Sequence, residues 1–421
     1  MTLEKAGERG YTYYKEPPYP DVPYTEYRQR ITKAQGLMSE NNVDCLLLWS
    51  KPNVRYFFGF QTIHWLIPSI QPAVGIIPSE GEPVLVVPDF FRAIVEGHCW
   101  VKDIRGQKDP HQPKSERELP AEIAGVVKEL GYAEENIGLE MGPLGCMWIP
   151  RPLNDIETLK SSLPKASWVD GDKVIWGCRM IKSPLEIERI ATSINAIAKV
   201  QLALVEEFRP GMSEMDISRI SQRAAAELGI GFIGDCVGLQ GSFRGAYDKE
   251  PMVDIGIHEG GTIGKGDNIF FDMFFDYKGY KPDNARIFQV SPATDEMKRY
   301  YELIWKCEDT AGAALKPGAK AKEVWEAMYA PIEAAGLPVL DMGGHGTGLD
   351  THEPPSIDAW NEMEIKEGMV ISIEPWVLGS YRQYGGVGKF GIQDQFVITD
   401  KGSSKISALM REIIEVSHLI I

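Results

Sequence analysis

The feature that most restricts the fold of this chain is an arrangement of helices and strands that occurs twice in its C-terminal half. Each copy consists of a long helix, a Pro-Gly step, a shorter helix and a block rich in strand-forming residues. The steps are Pro210-Gly211 and Pro317-Gly318, and the strand-rich blocks cover residues 262–290 and 369–400. The repeat predicts a two-lobed α+β domain with internal pseudo-twofold symmetry and a cleft between the lobes.

Residues 1–177 predict a separate α/β domain. Strands are predicted at VDCLLLW, at NVRYFFGF and on both sides of a turn near Gly81, and a helix is predicted over residues 118–130. The second domain, residues 178–421, opens on SPLE at 183–186. That pattern is typical of a capping box with proline at the first helical position.

Composition excludes several classes of partner. The chain has 421 residues and a formal net charge of −16 at pH 7. An acidic surface repels nucleic-acid phosphates and anionic membranes, so neither is expected as a partner. The N-terminal residues resemble no signal peptide, no apolar run is long enough to cross a bilayer, and the six cysteines are scattered singly. These observations predict a cytoplasmic protein with reduced thiols.

Two acidic residues flank a predicted turn in a setting that is unfavourable for free carboxylates. A two-residue turn at Tyr277-Lys278 would place Asp272 directly opposite Asp283 in a hairpin. Opposed carboxylates repel each other unless one is protonated or a cation lies between them. A solvent-facing acidic pair is the alternative interpretation.

Further residues of the ligand type follow along the chain. His345 and His352 lie in GGHGTGLDTHEPP, where glycines allow the backbone to approach a site; a glycine-rich turn with one structural histidine is the alternative. Glu374 ends the apolar strand VISIE. Two Asp, one His and one Glu supply hard oxygen donors and an imidazole, a set that favours Mn, Fe, Co or Zn.

These motifs, in this order, resemble the pita-bread metallohydrolase family, which includes methionine aminopeptidases, Xaa-Pro aminopeptidases, prolidases and creatinases. The segments that carry the resemblance are NVRYFFGF, MIKSPLEIERI, GKGDNIFFD, GYKPDNAR, GHGTGLDTHE, KEGMVISIEP and IQDQFVITDKG. The resemblance covers most of the chain. It implies an α/β N-terminal domain of the creatinase and prolidase type, followed by a pita-bread catalytic domain.

The resemblance also implies roles for individual residues. Asp272, Asp283, His345 and Glu374 match the metal ligands, with Asp283 as a bridging ligand, and His352 matches a histidine that hydrogen-bonds the substrate or intermediate. The family implies one or two divalent ions, which polarise the scissile carbonyl and activate water.

Three more residues are predicted to bind substrate. In dimeric relatives the loop that corresponds to His64-Trp65 approaches the active site of the second subunit, so the resemblance implies a homodimer. Arg382 could pair with an anionic substrate. A surface aromatic loop and a surface salt bridge are the respective alternatives.

Two positions of the last motif depart from the family pattern, as do Ile255 and Ala285, where the family has His and Thr. The family's last ligand is a Glu preceded two residues earlier by an Arg, whereas Gln393 and Gly391 occupy these positions here. We place Gln393 in the catalytic site, at the edge of the metal. Its neutral amide oxygen is a weaker donor than a carboxylate, which favours a single ion or a weakened second one. A β-bulge that turned Asp394 toward the site would restore the lost charge.

We therefore expect a metal-dependent hydrolase that cleaves an amide or other C–N bond in a small substrate, similar to an Xaa-Pro aminopeptidase or prolidase. The departures at Gly391 and Gln393 keep two alternatives open. One is a non-peptidase enzyme, similar to creatinase or to dimethylsulfoniopropionate lyase. The other is a non-catalytic pita-bread scaffold.

Overall fold

The computed structural model of the protein describes residues 3–5, 12–14, 20–66, 71–88, 91–107, 119–142, 153–209, 211–231, 243–244, 268–290, 292–377, 390–407 and 410–415. The chain forms two compact units, Met1–Arg179 and Met180–Ile421. They divide two residues after the boundary expected from the sequence. No helix within the described ranges combines the length and the apolar character that crossing a bilayer requires.

The described helices are α1 Tyr24–Glu40, α2 Lys51–Phe58, α3 Arg92–His98, α4 Leu119–Glu129, α5 Leu153–Ser162, α6 Asp172–Arg179, α7 Pro184–Glu207, α8 Glu214–Glu227, α9 Asp295–Ala314 and α10 Ala321–Ala334, with a 3-10 helix at Ile63–Leu66.

The described strands are β1 Leu3–Lys5, β2 Thr12–Tyr14, β3 Cys45–Leu48, β4 Val74–Pro78, β5 Val84–Pro88, β6 Asp103–Gln107, β7 Asn136–Leu139, β8 Ser167–Asp170, β9 Phe243–Arg244, β10 Asn268–Phe274, β11 Asp283–Gln289, β12 Met342–Gly346, β13 Glu353–Asp358, β14 Val370–Ile373, β15 Asp394–Thr399, β16 Gly402–Lys405 and β17 Ile414–Glu415.

The first unit is built on a six-stranded sheet in the order β6-β5-β4-β3-β7-β8. The neighbours β3–β4 and β4–β5 are antiparallel, whereas β5–β6, β3–β7 and β7–β8 are parallel. Apolar side chains of the central strands pack against α4 and α5 in one core cluster. This is the α/β arrangement expected for the N-terminal part of the chain.

The segment NVRYFFGF lies mostly in a helix, so its prediction as a strand was wrong. Helix α2 begins after Ser50, has Pro52 in its first turn and ends at Gly59, whose φ is 75°. The buried carboxylate of Glu140 accepts hydrogen bonds from the backbone N–H groups of Trp49 and Ser50, at 2.8 and 3.1 Å, and from Ser50 Oγ at 2.7 Å. Glu140 thus supplies acceptors at the N-terminal end of the helix from a distant part of the chain.

The second unit contains two sheets, each covered by one pair of helices. The first has the order β17-β11-β10-β9 and packs on α7 and α8; the second has the order β13-β12-β14-β15-β16 and packs on α9 and α10. A backbone bridge between Ala285 and Gln393 connects β11 to the residue before β15. The two halves therefore meet at this bridge, in the two-lobed arrangement that the repeat predicts.

The capping box predicted at the start of the second domain is present. Ser183 Oγ accepts a hydrogen bond from the Glu186 N–H at 3.3 Å, and a Glu186 carboxylate oxygen accepts one from the Ser183 N–H at 3.0 Å. The other oxygen of Glu186 accepts from the Tyr280 hydroxyl at 3.0 Å. This contact fixes the start of α7 against the hairpin of β10 and β11.

That hairpin carries the two acids in a register different from the expected one. Asp272 lies opposite Ala285, and Asp283 lies opposite Phe274, so the prediction of a directly opposed pair was wrong. The turn is centred on Lys278-Gly279, where both φ angles are positive, 51° and 92°. Because the register differs by two positions, each residue keeps its face. Asp272 and Asp283 are therefore diagonal neighbours on one face of the hairpin.

Candidate metal centre

A row of polar side chains crosses the second sheet of the second unit. Ser372 in β14 lies opposite His345 in β12 and opposite Gln395 in β15. Directly opposed residues present their side chains on the same face of a sheet. On the other face, Ile371 and Ile373 belong to the apolar core that packs on α9 and α10. The polar face of this sheet therefore supports the candidate site.

The imidazole of His345 is buried and its orientation is fixed. Its Nδ1 donates a hydrogen bond to the Gly346 carbonyl at 2.9 Å, which leaves Nε2 as the atom that can bind a metal. Glycine at 344 allows β12 to approach β14, because a Cβ there would lie 2.2 Å from the Ser372 carbonyl oxygen. The glycines around His345 thus serve the close packing of the strand that carries the ligand.

Two carboxylates and a second imidazole surround His345 Nε2. Asp283 Oδ2 lies 3.4 Å and Glu374 Oε1 lies 3.7 Å from this atom. His352 Nε2 lies 3.7 Å from Asp283 Oδ2, and its ring centroid is 3.9 Å from that of His345. His352 keeps 53% of its side chain exposed, whereas the other three residues are buried. The centre therefore has a buried floor and an accessible side.

The charges of this cluster are strongly coupled. Burial alone would lower the pKa of His345, but Asp283 and Glu374 outweigh it and raise the pKa to about 9. Burial opposes ionisation of Asp283, yet the two histidines hold the pKa of that carboxyl well below its usual range. Burial raises the pKa of Glu374, and His345 offsets only part of that rise. In the absence of a metal, a proton on His345 supplies the positive charge that the two carboxylates favour.

The donor set fits a divalent metal ion. Oε1 of Glu374 and Oε1 of Gln393 are buried and accept no hydrogen bond from the part of the chain that the structure describes. Buried oxygen acceptors without donors are costly, and a cation would satisfy both. Carboxylate oxygens with one imidazole are the ligands that Mn, Fe, Co and Zn accept.

The amide of Gln393 lies inside the cluster. Its Nε2 is 3.2 Å from His345 Nε2 and donates to Ser372 Oγ at 3.3 Å. Its backbone carbonyl accepts from Asn284 Nδ2 at 2.6 Å and from Arg286 Nη1 at 3.2 Å. The position of Gln393 is therefore set by β11, the strand that begins with Asp283.

The alternative in which Asp394 turns toward the metal is not observed. Arg286 Nη2 donates to both oxygens of Asp394, at 2.8 and 2.9 Å, and both side chains are fully buried. Lys405 also contacts this carboxylate. Strand alternation directs Asp394 away from Gln393, so its charge does not replace that of the missing Glu.

The departure at Gly391 has a local structural cause. A Cβ at this position would lie 2.6 Å from Cε3 of Trp376, with which Gly391 forms a backbone bridge. The Trp376 ring therefore occupies the space that a side chain at 391 would need.

The other predicted site residues have different placements. Ligand atoms of Asp283, His345 and His352 lie within 4.8 Å of one another, so this group includes His352, which the sequence did not assign as a ligand. Asp272 shares the Asp283 face of the hairpin. His64 and Trp65 lie in the 3-10 helix of the first unit. Arg382 lies outside the described residues.

Sequence reasoning missed two polar residues that support the centre. Gln395 Nε2 donates to Ser372 Oγ at 2.9 Å and to the Asp283 carbonyl, and Ser372 Oγ donates to Asp283 Oδ1 at 3.4 Å. The available signal was their spacing, since each lies two positions from Glu374 or Gln393 and shares its face.

Two family profiles match the chain. That of metallopeptidase family M24 matches residues 188–400, and that of the creatinase/prolidase N-terminal domain matches residues 30–181. An Xaa-Pro dipeptidase from Pyrococcus horikoshii is 26% identical over 398 residues, which covers 92% of this chain and 99% of that protein. The probable dipeptidase PepE of Mycobacterium tuberculosis is 28% identical over 352 residues, covering 81% of this chain and 84% of that protein.

Solved structures show the same fold. The crystal structure of the prolidase from Pyrococcus horikoshii matches with a TM-score of 0.75 and 24% identity, covering 92% of this chain and 100% of that one. The N-terminal domain of the FACT complex subunit SPT16 from chickpea matches with a TM-score of 0.68 and 14% identity, covering 92% of this chain and 97% of that one. At these identities, the likeness concerns the fold alone.

Proposed function

The chain belongs to metallopeptidase family M24, and from this premise we propose that it is a metal-dependent dipeptidase acting on Xaa-Pro dipeptides. The observation that carries the proposal is that Asp283, at the start of β11, and Glu374, directly after β14, both lie within 3.7 Å of Nε2 of His345 in β12. The dipeptidase names of the similar proteins support the choice of substrate.

We assign the metal to Asp272, Asp283, His345 and Glu374. When bound, a divalent ion would polarise the scissile carbonyl and activate water for attack. The Gly346 carbonyl keeps the proton of His345 on Nδ1, so that Nε2 faces the carboxylates. Ser372 and Gln395 hold Asp283 by its side chain and its backbone carbonyl.

His352 is the residue that we assign to the substrate. It is the exposed member of the cluster, and its Nε2 is directed at Asp283 from the accessible side. An imidazole N–H in this position can donate a hydrogen bond to the carbonyl or carboxylate of a bound dipeptide. His64, Trp65 and Arg382 are kept as proposed substrate contacts on the basis of the family resemblance.

We propose that the centre holds one ion tightly. The three assigned carboxylates contribute −3, so one divalent ion leaves −1 and two leave +1. Gln393 replaces the carboxylate that would balance the second ion. Its amide oxygen can still lie at the edge of the metal, because it is buried and takes no hydrogen bond within the described ranges.

A second candidate function is favoured by the residues at 391 and 393. Gly391 and Gln393 remove the Arg and Glu that peptidase relatives use, according to the resemblance. A non-peptidase hydrolase or lyase for a small cationic or zwitterionic substrate is therefore the alternative. Creatine and dimethylsulfoniopropionate represent this class.

One panel of assays decides between the two functions. The purified chain is stripped with a chelator, reloaded with Mn, Fe, Co or Zn, analysed for metal content and incubated with Xaa-Pro dipeptides, creatine and dimethylsulfoniopropionate. We expect about one ion per chain and release of free proline. Turnover of creatine or dimethylsulfoniopropionate alone would establish the alternative, and no tightly held ion with no turnover would favour a non-catalytic scaffold.

We also propose a cytoplasmic homodimer. Cys45, Cys99 and Cys307 are buried thiols that form no disulfide, which agrees with a reducing compartment. The dimer rests on the resemblance to dimeric relatives. Light scattering of the purified chain during size-exclusion chromatography would test it, and a monomer mass at working concentration would contradict it.

A further inference from the structure

A buried ion pair connects the segment before α7 to the loop that carries His352. Lys182 Nζ lies 3.0 Å from Glu353 Oε2, and each side chain is only 1% exposed. Taking two charges out of water costs about as much as their attraction returns, so such a pair adds little stability over apolar residues of the same size. Its place next to the candidate centre indicates a role other than stability.

The carboxylate of Glu353 organises the loop that precedes it. Its Oε1 accepts a hydrogen bond from the Asp350 N–H at 3.2 Å. A Cβ at Gly348 would lie 2.7 Å from both carboxylate oxygens, so only glycine at 348 lets the loop close around this group. The Gly348 N–H donates to the Asp350 carbonyl at 3.0 Å, and its own carbonyl accepts from the Lys281 N–H at 2.9 Å. Residues 348–352 therefore lie around the carboxylate of Glu353.

The position of the His352 side chain depends on this loop more than the position of the His345 side chain depends on its strand. His345 is buried within a sheet, whereas His352 has 53% of its side chain in solvent. An exposed side chain has few packing contacts that restrict its rotamers, so the place of its backbone decides whether Nε2 reaches Asp283. The adjacent Glu353 holds this backbone through its strand pairing with Gly346 and through the hydrogen bond from the Asp350 N–H, and its buried counter-charge is Lys182.

We propose that Lys182 is a positioning residue, which holds the 348–353 loop through Glu353 and so keeps His352 Nε2 beside Asp283. The inference deepens the proposed function, because His352 is the residue assigned there to the substrate. Lys182 itself touches neither the substrate nor the metal.

The first test measures kinetics in a double-mutant cycle. Lys182→Met keeps most of the length of the side chain and removes its charge. We expect it to lower kcat by about 10- to 100-fold, the loss typical of a supporting residue, with unchanged metal content. Lys182→Arg should restore most of the loss. In a His352→Ala background, Lys182→Met should cause little further loss, because Lys182 acts through His352. Fully additive losses would overturn the proposal.

The second test requires no substrate. Hydrogen exchange of the backbone amides of residues 348–352 should be faster in Lys182→Met than in the wild type. The control is Lys320→Met, which removes an exposed partner of Glu362 at 2.6 Å and should leave this exchange unchanged. If Lys182→Met does not fold, Glu353→Gln provides the same measurement with a smaller change.

The two readouts separate this inference from the proposed function. Unchanged exchange at 348–352 in the Lys182 or Glu353 variant overturns the positioning role, whatever the enzyme cleaves. Faster exchange in the variant supports the positioning role. If the wild-type chain at the same time cleaves no Xaa-Pro dipeptide, the proposed substrate class is rejected and the positioning role stands.

Discussion

The side-chain amide of Gln393 lies beside the metal-facing atom of His345, with 3.2 Å between the two Nε2 atoms. A neutral group thus occupies the place where the family resemblance implies a carboxylate. The surrounding residues hold Gln393 chiefly by its backbone carbonyl, through Asn284 and Arg286, and its side chain adds one hydrogen bond, from Nε2 to Ser372 Oγ at 3.3 Å. The backbone contacts are therefore available to either an amide or a carboxylate side chain at this position, and a carboxylate gives up only the donor to Ser372.

The first prediction is that Gln393→Glu increases metal binding. A fourth carboxylate changes the charge of the centre with two divalent ions from +1 to 0, so metal content should rise from about one to about two ions per chain. Dipeptidase activity should rise by about tenfold or more, the scale on which neighbouring groups alter metal sites. Elemental analysis, calorimetric titration with Mn and kcat/KM measure these changes.

Gln393→Met is the matched control, since it keeps the size of the side chain and removes its oxygen. It should not raise metal content. A Gln393→Glu variant that still holds a single ion would contradict the charge argument.

The second prediction concerns the ligands themselves. His345→Ala removes the only imidazole whose Nδ1 is fixed by a backbone carbonyl among the described residues of the centre. Affinity for the ion and kcat should each fall by more than about 100-fold, beyond the range seen for supporting residues. His98→Ala, in α3 of the first unit, is the control for loss of an imidazole and should keep its metal. Retention of a tightly held ion by His345→Ala would refute the assigned ligand set.

Particular elements show how far the sequence predicts the structure. The shared face of Asp272 and Asp283 was predicted correctly, because side chains alternate along a strand and a register shift of two positions keeps each residue on its face. Their register was not, because the turn uses Lys278 with a positive φ of 51°, a conformation uncommon for residues other than glycine. The error of two positions in the register changed the cross-strand partners of the two acids but not the face on which each acid lies.

Helix α2 shows the opposite case. Local signals for a helix were present in the sequence, but the strand-forming residues between them led to the prediction of a strand. Ser50, Pro52 and Gly59 form a start and a stop pattern for a helix, although the residues between them are rich in strand-forming aromatics. The acceptor at its N-terminus, Glu140, is remote in sequence, so no local pattern could identify it. The same holds for Lys182 and Glu353, whose contact depends on the tertiary fold.

The third prediction concerns the buried pair behind Gln393. Arg286→Met leaves the Asp394 carboxylate buried with Lys405 as its remaining cation among the described residues, and should lower the free energy of unfolding by about 3 kcal/mol. The double variant Arg286→Met, Asp394→Leu removes both charges and should recover much of that loss. Guanidinium unfolding measures both. If the double variant were destabilised as much as Arg286→Met or more, the loss of stability would not come from leaving the Asp394 charge without Arg286.

The fourth prediction is a pH dependence of stability. Burial and the neighbouring carboxylate of Asp394 raise the pKa of Glu308 from 4.5 to about 8, against the opposing effect of Lys405, whose Nζ lies 2.7 Å away. The folded state therefore binds a proton that the unfolded state releases between these pH values. Stability from this group is fully present below pH 4.5 and is lost as the pH rises through 8.

Urea unfolding at pH 5 and pH 8 should show a decrease in stability for the wild type, and Glu308→Gln should reduce that decrease. Asp309→Asn, which changes the adjacent exposed carboxylate, is the control and should follow the wild type. If Glu308→Gln showed the same decrease in stability between pH 5 and pH 8 as the wild type, the group that titrates would lie elsewhere.

The fifth prediction is that the Arg that the family resemblance implies at residue 391 cannot simply be introduced there. Gly391→Arg forces its Cβ against the ring of Trp376, 2.6 Å from Cε3, and should cost about 1–3 kcal/mol through overpacking. Combination with Trp376→Ala makes room for the new side chain, so the double variant should be more stable than the sum of the single effects predicts. Denaturant midpoints measure the coupling, and KM for an Xaa-Pro dipeptide shows whether the guanidinium then assists binding. A single Gly391→Arg variant with wild-type stability would mean that Trp376 moves aside without cost, and that the ring is not the reason for glycine at this position.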